Sequence, residues 1–500
     1  MRVAVGLVGC LVAALVIATL VLNGGPFIYA LDDAYIHLDL ADQMARTGLY
    51  GVNAGEVSAP SSSILWPVLL VPLAGTGLHP FLPLLLAGFF ALAATGVLFN
   101  IVRHFKLRHE TLLAVAAAVA LNLPGLALMG MEHTLQIFLT LLAVLGLLKA
   151  LDGEQPCWWL WTVLILGPLV RYENALVSAA VLGSLLWLGH GRKALLCGIF
   201  IAGVMAAFSL FLVHLGLDPF PASTYVKKLR FGTDDFWVFW GKSLLPVLVN
   251  PLALLLLLGA LTLPFVTLLN WRTIRSPRWA VLAALSGVLA LHIFLGRFSV
   301  LDTPRYEFYA LAFVAPLLFW LFPHRLALPL LLVSAIPGTW CSLYDAPRAA
   351  HSIYLQQYQM QRLAQEFWQQ PVAANDIGLV GYRNTHNVLD LVGLASKPVL
   401  DAKRRHEQGW AARLVREQNT GLVMVYEDWF PPETRQAWKP MGALVCTVCT
   451  KSVVNNRVLI LLADPSKEQE LRKALATWAV TLPSGAAYEP AEGTSRPDRP

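Results

Sequence analysis

Long apolar runs separated by short polar segments fill the first two thirds of the chain. Many of these runs approach the length of about 20 residues that a helix needs to cross a bilayer. The first run, 3–22, is longer than the core of a signal peptide, so we interpret it as an uncleaved first span. We predict eleven membrane-spanning helices, at 3–22, 81–102, 111–129, 134–148, 158–170, 174–190, 194–215, 244–270, 279–296, 308–322 and 326–344.

The longest connection within this part of the chain, 23–80, contains two further helical patterns. From Asp33 onward, Ile36, Leu40 and Met44 recur at helical spacing, which predicts an amphipathic helix that lies in the membrane interface and ends near Gly48. The apolar stretch 64–73 is short and interrupted by prolines. We therefore predict that it also lies along the membrane and does not cross it.

Beyond residue 345 the apolar runs give way to short alternating patterns. These predict a small α/β domain over 345–482, after the membrane domain 1–344. Its expected helices are 353–369, 402–418 and 466–477, its expected strands are 373–380, 387–394 and 421–426, and its expected hairpin is 443–448 with 457–462. Residues 483–500 are rich in Pro, Gly, Glu and Ser, which predicts a disordered tail.

Composition agrees with a polytopic membrane protein. Hydrophobic residues make up 57% of the chain and charged residues only 14%, and half of the charged residues lie from residue 345 on. This excludes a disordered chain and a soluble enzyme with one anchor. The net charge of +6 does not indicate nucleic-acid binding, because the basic residues are grouped in short loops between spans.

The basic loops also predict which side of the membrane each segment faces. With the start in the cytoplasm, five alternate loops are cytoplasmic and carry the basic clusters, in agreement with the positive-inside rule. An odd number of spans then places the segment after 345 outside, where Cys446 and Cys449 would be able to pair. The cytoplasmic basic residues are Arg103, Lys106, Arg108, Lys149, Arg192, Lys193, Arg272, Arg275, Arg278 and Arg325.

The opposite, external loops hold most of the residues that are able to do chemistry. Ionisable groups near the ends of spans are costly unless they are paired or used, so we predict that they form a shared site. The alternative is that they are solvated loop residues. The set comprises Asp32, Asp33, Glu132, His133, Arg171, Glu173, Lys227, Lys228, Arg230, Arg297, Asp302, Arg305 and Glu307.

Several motifs in these loops resemble the GT-C glycosyltransferases, integral-membrane enzymes that include protein mannosyltransferases, aminoarabinose transferases and terminal arabinofuranosyltransferases. The first is Leu31-Asp-Asp-Ala-Tyr-Ile-His-Leu, followed by Ser61-Ser-Ser-Ile-Leu-Trp-Pro. The others are Gly130-Met-Glu-His-Thr, Arg171-Tyr-Glu-Asn, Ala222-Ser-Thr-Tyr-Val-Lys-Lys-Leu, Asp376-Ile-Gly-Leu-Val-Gly-Tyr and Val388-Leu-Asp-Leu-Val-Gly-Leu. Together they extend from residue 31 to about 395, and their order resembles the arabinofuranosyltransferase group most.

The resemblance implies an inverting enzyme that transfers a sugar, such as arabinofuranose or mannose, from a polyprenyl-phosphate donor to a glycan, lipid or protein hydroxyl. The acceptor hydroxyl needs a carboxylate to take its proton. The family pattern places this base at the first acid, Asp32, with Asp33 as an orienting or cation-binding group. The alternative is that both acids only cap the following helix.

The leaving lipid phosphate needs cationic partners. The resemblance favours Lys227, at the Tyr-x-Lys position, with Arg171, Lys228 and Arg305 as further phosphate ligands. Lysine and arginine at these positions are alternatively membrane anchors. Expected substrate-binding residues are Glu132, Glu173 and Tyr225, and Glu132 is alternatively an ionic partner of Arg171.

No cluster with metal-ligand spacing is present in the sequence, so we predict no metal site and no required cofactor. A divalent cation held by Asp32 or Asp33 with the donor phosphate remains an option. The expected location is the inner or plasma membrane, with the site outside and a role in building the cell envelope. Two other functions stay open: a transporter or flippase of lipid-linked sugars, and a noncatalytic cell-envelope assembly protein.

Overall fold

The computed structural model describes residues 1–230, 241, 251–269, 276–294, 305–321, 336, 339–449 and 451–491. Helices dominate up to residue 321, and a six-stranded sheet with helices follows. The long helices of the first part are α1 Arg2–Leu22, α2 Asp33–Thr47, α4 Leu82–His104, α5 Glu110–Ala120, α7 His133–Leu151, α8 Trp158–Val170, α9 Asn174–Trp187, α10 Gly191–His214, α11 Ala222–Arg230, α12 Pro251–Leu269, α13 Ser276–Phe294 and α14 Phe308–Leu321. The short ones are α3 Leu65–Leu70 and α6 Leu123–Leu128.

Ten of the eleven predicted spans coincide with helices in the described residues. The run 111–129 is split into α5 and α6 at Asn122, which has a φ of 52°. The eleventh run, 326–344, lies largely outside the described residues, so the count of eleven stays a prediction. Within the described ranges, five helices are long and apolar enough to cross a membrane, and four shorter helices are also apolar. The chain is a multi-pass membrane protein.

Helix α2 forms as predicted, but its polar face is covered by protein, and its position in the membrane interface stays a prediction. Every side chain from Ala34 to Gln43 is buried, including the polar His37, Asp39 and Asp42. The helix packs against α3 on one side and against the domain that follows residue 345 on the other. Gly48 ends the helix in the left-handed conformation, with a φ of 71°, which glycine adopts readily.

The C-terminal domain has the predicted α/β character. Its sheet has the strand order β2-β1-β3-β5-β4-β6, in which β1 pairs in parallel with β2 and β3, and β3, β5, β4 and β6 pair antiparallel. The strands are β1 Val372–Ala374, β2 Val388–Asp390, β3 Leu422–Tyr426, β4 Lys439–Cys446, β5 Arg457–Leu462 and β6 Ala486–Pro490. The helices are α15 Ala346–Leu355, α16 Gln357–Arg362, α17 Gly378–Gly381, α18 Lys397–Arg404, α19 Trp410–Glu417, α20 Pro432–Arg435 and α21 Glu468–Ala479.

Three predictions for this domain need correction. The strand predicted over 373–380 ends at Ala374, and α17 begins at Gly378. The helix predicted over 402–418 is two helices, α18 and α19, because Gly409 turns the chain with a φ of 67°. The tail predicted to be disordered from 483 contains β6, which pairs along β4 from Gly442 to Cys446. Strand β6 pairs with the outer edge of β4 and leaves alternate side chains exposed. Its sequence is therefore only weakly apolar, and pairing with β4 holds it in place. Cys446 and Cys449 form a disulfide.

The two domains contact each other through the segment 23–80, between α1 and α4. Asn53 pairs with the backbone of Val388 in both directions, since its Nδ2 donates to the carbonyl and its Oδ1 accepts from the amide. It thereby occupies the free edge of β2. His79 Nδ1 lies 3.0 Å from the Tyr382 hydroxyl, and the Ser452 hydroxyl donates to the Ala30 carbonyl. These contacts hold the C-terminal domain over the start of α2.

Candidate functional site

Asp33 is the first residue of α2, and its side chain is 45% exposed. Arg305, just before α14, places Nη2 3.4 Å from Asp33 Oδ2. The same guanidinium lies 4.9 Å from the ring centre of Tyr306, and Arg171 lies 5.3 Å from that ring in turn. Tyr306 thus joins two cations, while Asp33 presents a carboxylate to solvent beside them.

Arg171 lies behind Tyr306 in a buried ion cluster. Its Nη1 donates to Glu132 Oε1 at 2.6 Å, and its Nε and Nη2 donate to the two oxygens of Glu173 at 3.1 Å. The three side chains come from helix ends: Arg171 follows α8, Glu132 precedes α7, and Glu173 precedes α9. All three residues are at most 6% exposed. Both carboxylates raise the pKa of Arg171, against the opposing effect of burial, so the arginine stays charged.

Two buried polar atoms next to this cluster have no hydrogen-bond partner among the described residues: Glu132 Oε2 and His133 Nε2. His37 Nε2 is 3.9 Å from that Glu132 oxygen, and His37 Nδ1 lies 3.2 Å from the Ser61 hydroxyl. Burial lowers the pKa of His37, although the charge of Glu132 opposes this shift. Unpaired buried polar atoms are rare in folded proteins, and here they lie in the same network of contacts as the exposed Asp33, which makes the region a candidate binding site.

Asp32 does not share the exposure of its neighbour. Its Oδ2 accepts a hydrogen bond from the Gly378 amide at 2.8 Å and its Oδ1 from the Leu379 amide at 2.9 Å. A Cβ added at Gly378 would lie 2.2 Å from the Asp32 carbonyl oxygen, so only glycine permits this approach. Burial raises the pKa of Asp32 to about 8, with a further contribution from the charge of Asp376. Asp32 therefore anchors the C-terminal domain.

Each Asp32 oxygen already accepts a backbone amide and the residue is only 9% exposed, so Asp32 is less accessible to an acceptor hydroxyl than Asp33. The assignment of Asp32 as the base stays a prediction of the motif resemblance. Asp33, expected as an orienting group, has the accessible carboxylate. The alternative that both acids only cap α2 also fails for Asp32, because its side chain makes no capping hydrogen bond to that helix.

The fold brings some of the other predicted site residues together. Asp33, Glu132, Arg171, Glu173 and Arg305 form the continuous set of contacts described above, so four of the segments between predicted spans converge. However, Arg171 and Glu173 bind each other and are not open to a phosphate or a sugar. Of the two roles considered for Glu132, the ionic partnership with Arg171 is confirmed.

Tyr225 lies in a different place from the one predicted. The guanidinium of Arg404 in the C-terminal domain lies 4.0 Å from its ring centre, and Arg404 also pairs with Asp218. Tyr225 therefore contacts the domain interface rather than the ion cluster. Lys227 and Lys228 lie in the same helix, α11, but their side chains fall outside the described residues. Their predicted contact with phosphate stays a prediction.

Two residues of the site, His37 and Tyr306, were not predicted from the sequence. His37 lies four residues after Asp33, one helical turn away, and this spacing was an available signal. Tyr306 adjoins Arg305 in sequence, yet only the fold reveals that its ring also faces Arg171. Within the described residues no group of three or more His, Cys, Asp or Glu side chains is arranged to hold a metal ion.

Comparison with known proteins gives one family match and several structural likenesses. Residues 350–463 match a domain of unknown function, DUF8728. None of the curated proteins matches the sequence. The chain is similar to the structure of ArnT from Cupriavidus metallidurans in the apo state, at 13% identity and a TM-score of 0.45, over 92% of this chain and 98% of that one.

It is also similar to the Archaeoglobus fulgidus oligosaccharyltransferase. One structure of that enzyme carries a tethered acceptor peptide (10% identity, TM-score 0.39, 97% of this chain and 76% of that one). Another, AglB with an inhibitory peptide and a dolichol-phosphate, matches at 11% identity and a TM-score of 0.38 over 97% of this chain and 76% of that one. ArnT and this enzyme are GT-C superfamily glycosyltransferases, the group that the sequence motifs resemble.

Proposed function

We propose that this protein transfers a sugar from a polyprenyl-phosphate donor to an acceptor hydroxyl at the outer end of its membrane helices. The observation that carries the proposal is the exposed Asp33 carboxylate, held beside Arg305 and backed by a buried ion cluster where membrane helices meet the C-terminal domain. A carboxylate open to solvent and a cation thus meet in one place, as this reaction requires. The motif resemblance supports the same reaction.

Asp33 acts as the general base in this proposal. The acceptor oxygen attacks the anomeric carbon, its proton passes to Asp33, and the bond from the anomeric carbon to the phosphate oxygen breaks. The polyprenyl phosphate leaves with the electron pair of that bond. Attack from the face opposite the leaving group inverts the configuration. Its position at the start of α2 and its exposure suit Asp33 to this role.

Cations on the membrane side stabilise the departing phosphate. Among the described residues, Arg305 is the candidate for this role. Its Nη2 lies 3.4 Å from Asp33 Oδ2, and its guanidinium lies over the ring of Tyr306. The planar fork of a guanidinium also suits a phosphate. Lys227 and Lys228 of α11 are the further candidates from the motif. A divalent cation is not required, and one that binds here would be held by Asp33 and the phosphate, since Asp32 is engaged by amides.

The Arg171 cluster forms the rigid wall behind these groups in the proposed mechanism. A guanidinium between two carboxylates in a dry environment is held in one geometry, since moving either partner would leave a buried charge uncompensated. The cluster fixes the ends of α7, α8 and α9 and positions Tyr306. Arg305 and the phosphate it contacts are thereby held in register with Asp33.

The proposed side of the membrane is the exterior, with the sugar donor and acceptor both bound there. The basic loops support this orientation, and the disulfide between Cys446 and Cys449 suits an oxidising compartment. We expect a reporter enzyme fused after Ala346 to be active only when it is of the type that works outside the cytoplasm. Activity of a cytoplasmic-type reporter at the same junction would contradict the orientation.

The proposed reaction is tested with purified full-length protein and radiolabelled polyprenyl-phosphate sugars, including arabinofuranose and mannose donors. We expect one donor to lose its label to an added glycan, lipid or peptide acceptor, with release of polyprenyl phosphate. Protein in which Asp33 is replaced by Asn provides the background. If no donor loses label above this background, the proposed function is wrong.

A further inference from the structure

The C-terminal domain places a carboxylate at one end of its parallel strands. Strand β1 lies between β2 and β3 and runs parallel to both, so the carboxyl ends of the three strands meet at one edge. The chain crosses from β2 over β1 to β3, which reverses the strand order there. Ligands of open α/β sheets bind outside the carboxyl ends of strands at such reversals. Asp376 follows β1, and Tyr426 is the last residue of β3.

Neighbouring side chains hold Asp376 in a fixed orientation. The Tyr426 hydroxyl donates to Asp376 Oδ2 at 2.7 Å, and Gln357 Nε2 donates to the same oxygen at 2.9 Å. Asn375 Oδ1 in turn accepts from the Tyr426 amide. The bonds from Tyr426 and Gln357 both end on Oδ2. Beside them Gln357 Oε1 is buried, in a residue only 1% exposed, and has no hydrogen-bond partner among the described residues.

This edge of the sheet faces the proposed base. Asp376 is close enough to Asp33 and Asp32 for their charges to interact. Asp32 binds the amides of Gly378 and Leu379, which directly follow the Asp376 loop. Burial raises the pKa of Asp376, and the charge of Asp33 raises it further, while the bonds from Gln357 and Tyr426 lower it. The two hydrogen bonds to Asp32 thus hold the Asp376 loop next to the start of α2.

We propose that Asp376 binds the acceptor, and that the acceptor is a carbohydrate. Transfer to one isolated hydroxyl needs a base but gives no role to a second fixed carboxylate beside it. A sugar ring supplies hydroxyls on adjacent carbons, so one attacks beside Asp33 while a neighbouring one donates to Asp376 and Gln357 Oε1 accepts from another. The C-terminal domain therefore selects a glycan and positions its attacking hydroxyl. This inference rests on the proposed function and adds the acceptor class to it.

The test measures transfer kinetics of full-length Asp376→Asn with a labelled donor, an alkyl oligosaccharide acceptor and a Ser/Thr peptide. An amide keeps the size of the side chain but accepts a weaker hydrogen bond. We expect KM for the glycan to rise about 10- to 100-fold, as loss of a charged hydrogen bond predicts. The donor KM and the slow hydrolysis of donor by water should change less than twofold.

Asp428→Asn is the matched control, because Asp428 lies in the same domain and its exposed carboxylate bonds only Asn455 among the described partners. It should leave all these constants unchanged. If Asp376→Asn does not fold, Asp376→Glu keeps the charge but moves the carboxylate by one methylene, and the same rise in glycan KM is expected. A normally melting Asp376 variant with unchanged glycan KM would overturn the inference.

The two proposals fail in different ways. Wild-type protein that transfers sugar to the peptide and not to the glycan would overturn the acceptor assignment and leave the transferase function standing. Wild-type protein that neither transfers nor hydrolyses any donor would overturn the transferase function, and the acceptor assignment with it. A rise in donor KM equal to the rise in glycan KM for Asp376→Asn would show a general distortion of the site and also overturn the assignment.

Discussion

Replacing Asp33 by Asn is expected to lower the transfer rate by about 10²- to 10⁴-fold, the usual contribution of a general base. The amide has the outline of the carboxylate but cannot take the acceptor's proton. Donor affinity should persist, because Arg305 and the motif lysines are unchanged. The measurement is single-turnover transfer in nanodiscs, with donor affinity determined in parallel.

Asp32→Asn is the matched variant one residue earlier. Asp32 accepts hydrogen bonds from two backbone amides, and the substitution places an NH₂ group against one of these donors. We therefore expect the C-terminal domain to dock more loosely and to be cleaved faster by proteases near residue 378. Its single-turnover rate should fall less than that of Asp33→Asn. If Asp32→Asn abolishes turnover with normal protease resistance, while Asp33→Asn transfers normally, the base is Asp32.

Arg171→Met is expected to destabilise the protein by about 3–5 kcal/mol, the cost of breaking a buried ion pair from one side. The change leaves Glu132 and Glu173 as buried carboxylates without their cation. The measurement is the free energy of unfolding in detergent. Lys149→Met is the control, because Lys149 and Glu154 form a solvent-exposed pair, for which about 0–1 kcal/mol is expected.

A different result would restore the earlier assignment of Arg171 as a phosphate ligand. If Arg171→Met unfolds at the wild-type free energy and raises the donor KM, the arginine binds the donor and its carboxylate partners exchange with phosphate. If it unfolds easily while donor KM stays normal, the cluster is a structural wall as proposed.

Local patterns in the sequence predicted most of the elements. The apolar runs locate the membrane helices within a few residues, and alternation locates β3 and the β4–β5 hairpin, because burial of one face imposes these periods. Strand β6 escaped prediction because it is an edge strand with a weakly apolar sequence. It pairs with β4, whose partner residues Gly442 to Cys446 lie far earlier in the chain, and such a distant partner leaves no local signal.

The residues of the site were easier to predict than their roles. Acids and bases at the ends of spans signal a site because they are costly there, and five of them do meet. Which of Asp32 and Asp33 is exposed depends on amides about 346 residues later in the chain. In the same way, only the fold shows that Arg171 is engaged by two carboxylates from different helix ends. Spacing along the chain carries no information on such distant partners.

The central claim is tested most directly by following a labelled sugar on a polyprenyl-phosphate donor with purified wild-type protein and with Asp33→Asn. The account predicts that the wild type moves label to a glycan acceptor and releases an equal amount of polyprenyl phosphate, and that Asp33→Asn binds the donor but leaves the label on it. Equal transfer by both proteins, or label that stays on the lipid with every donor and acceptor supplied to the wild type, would contradict it.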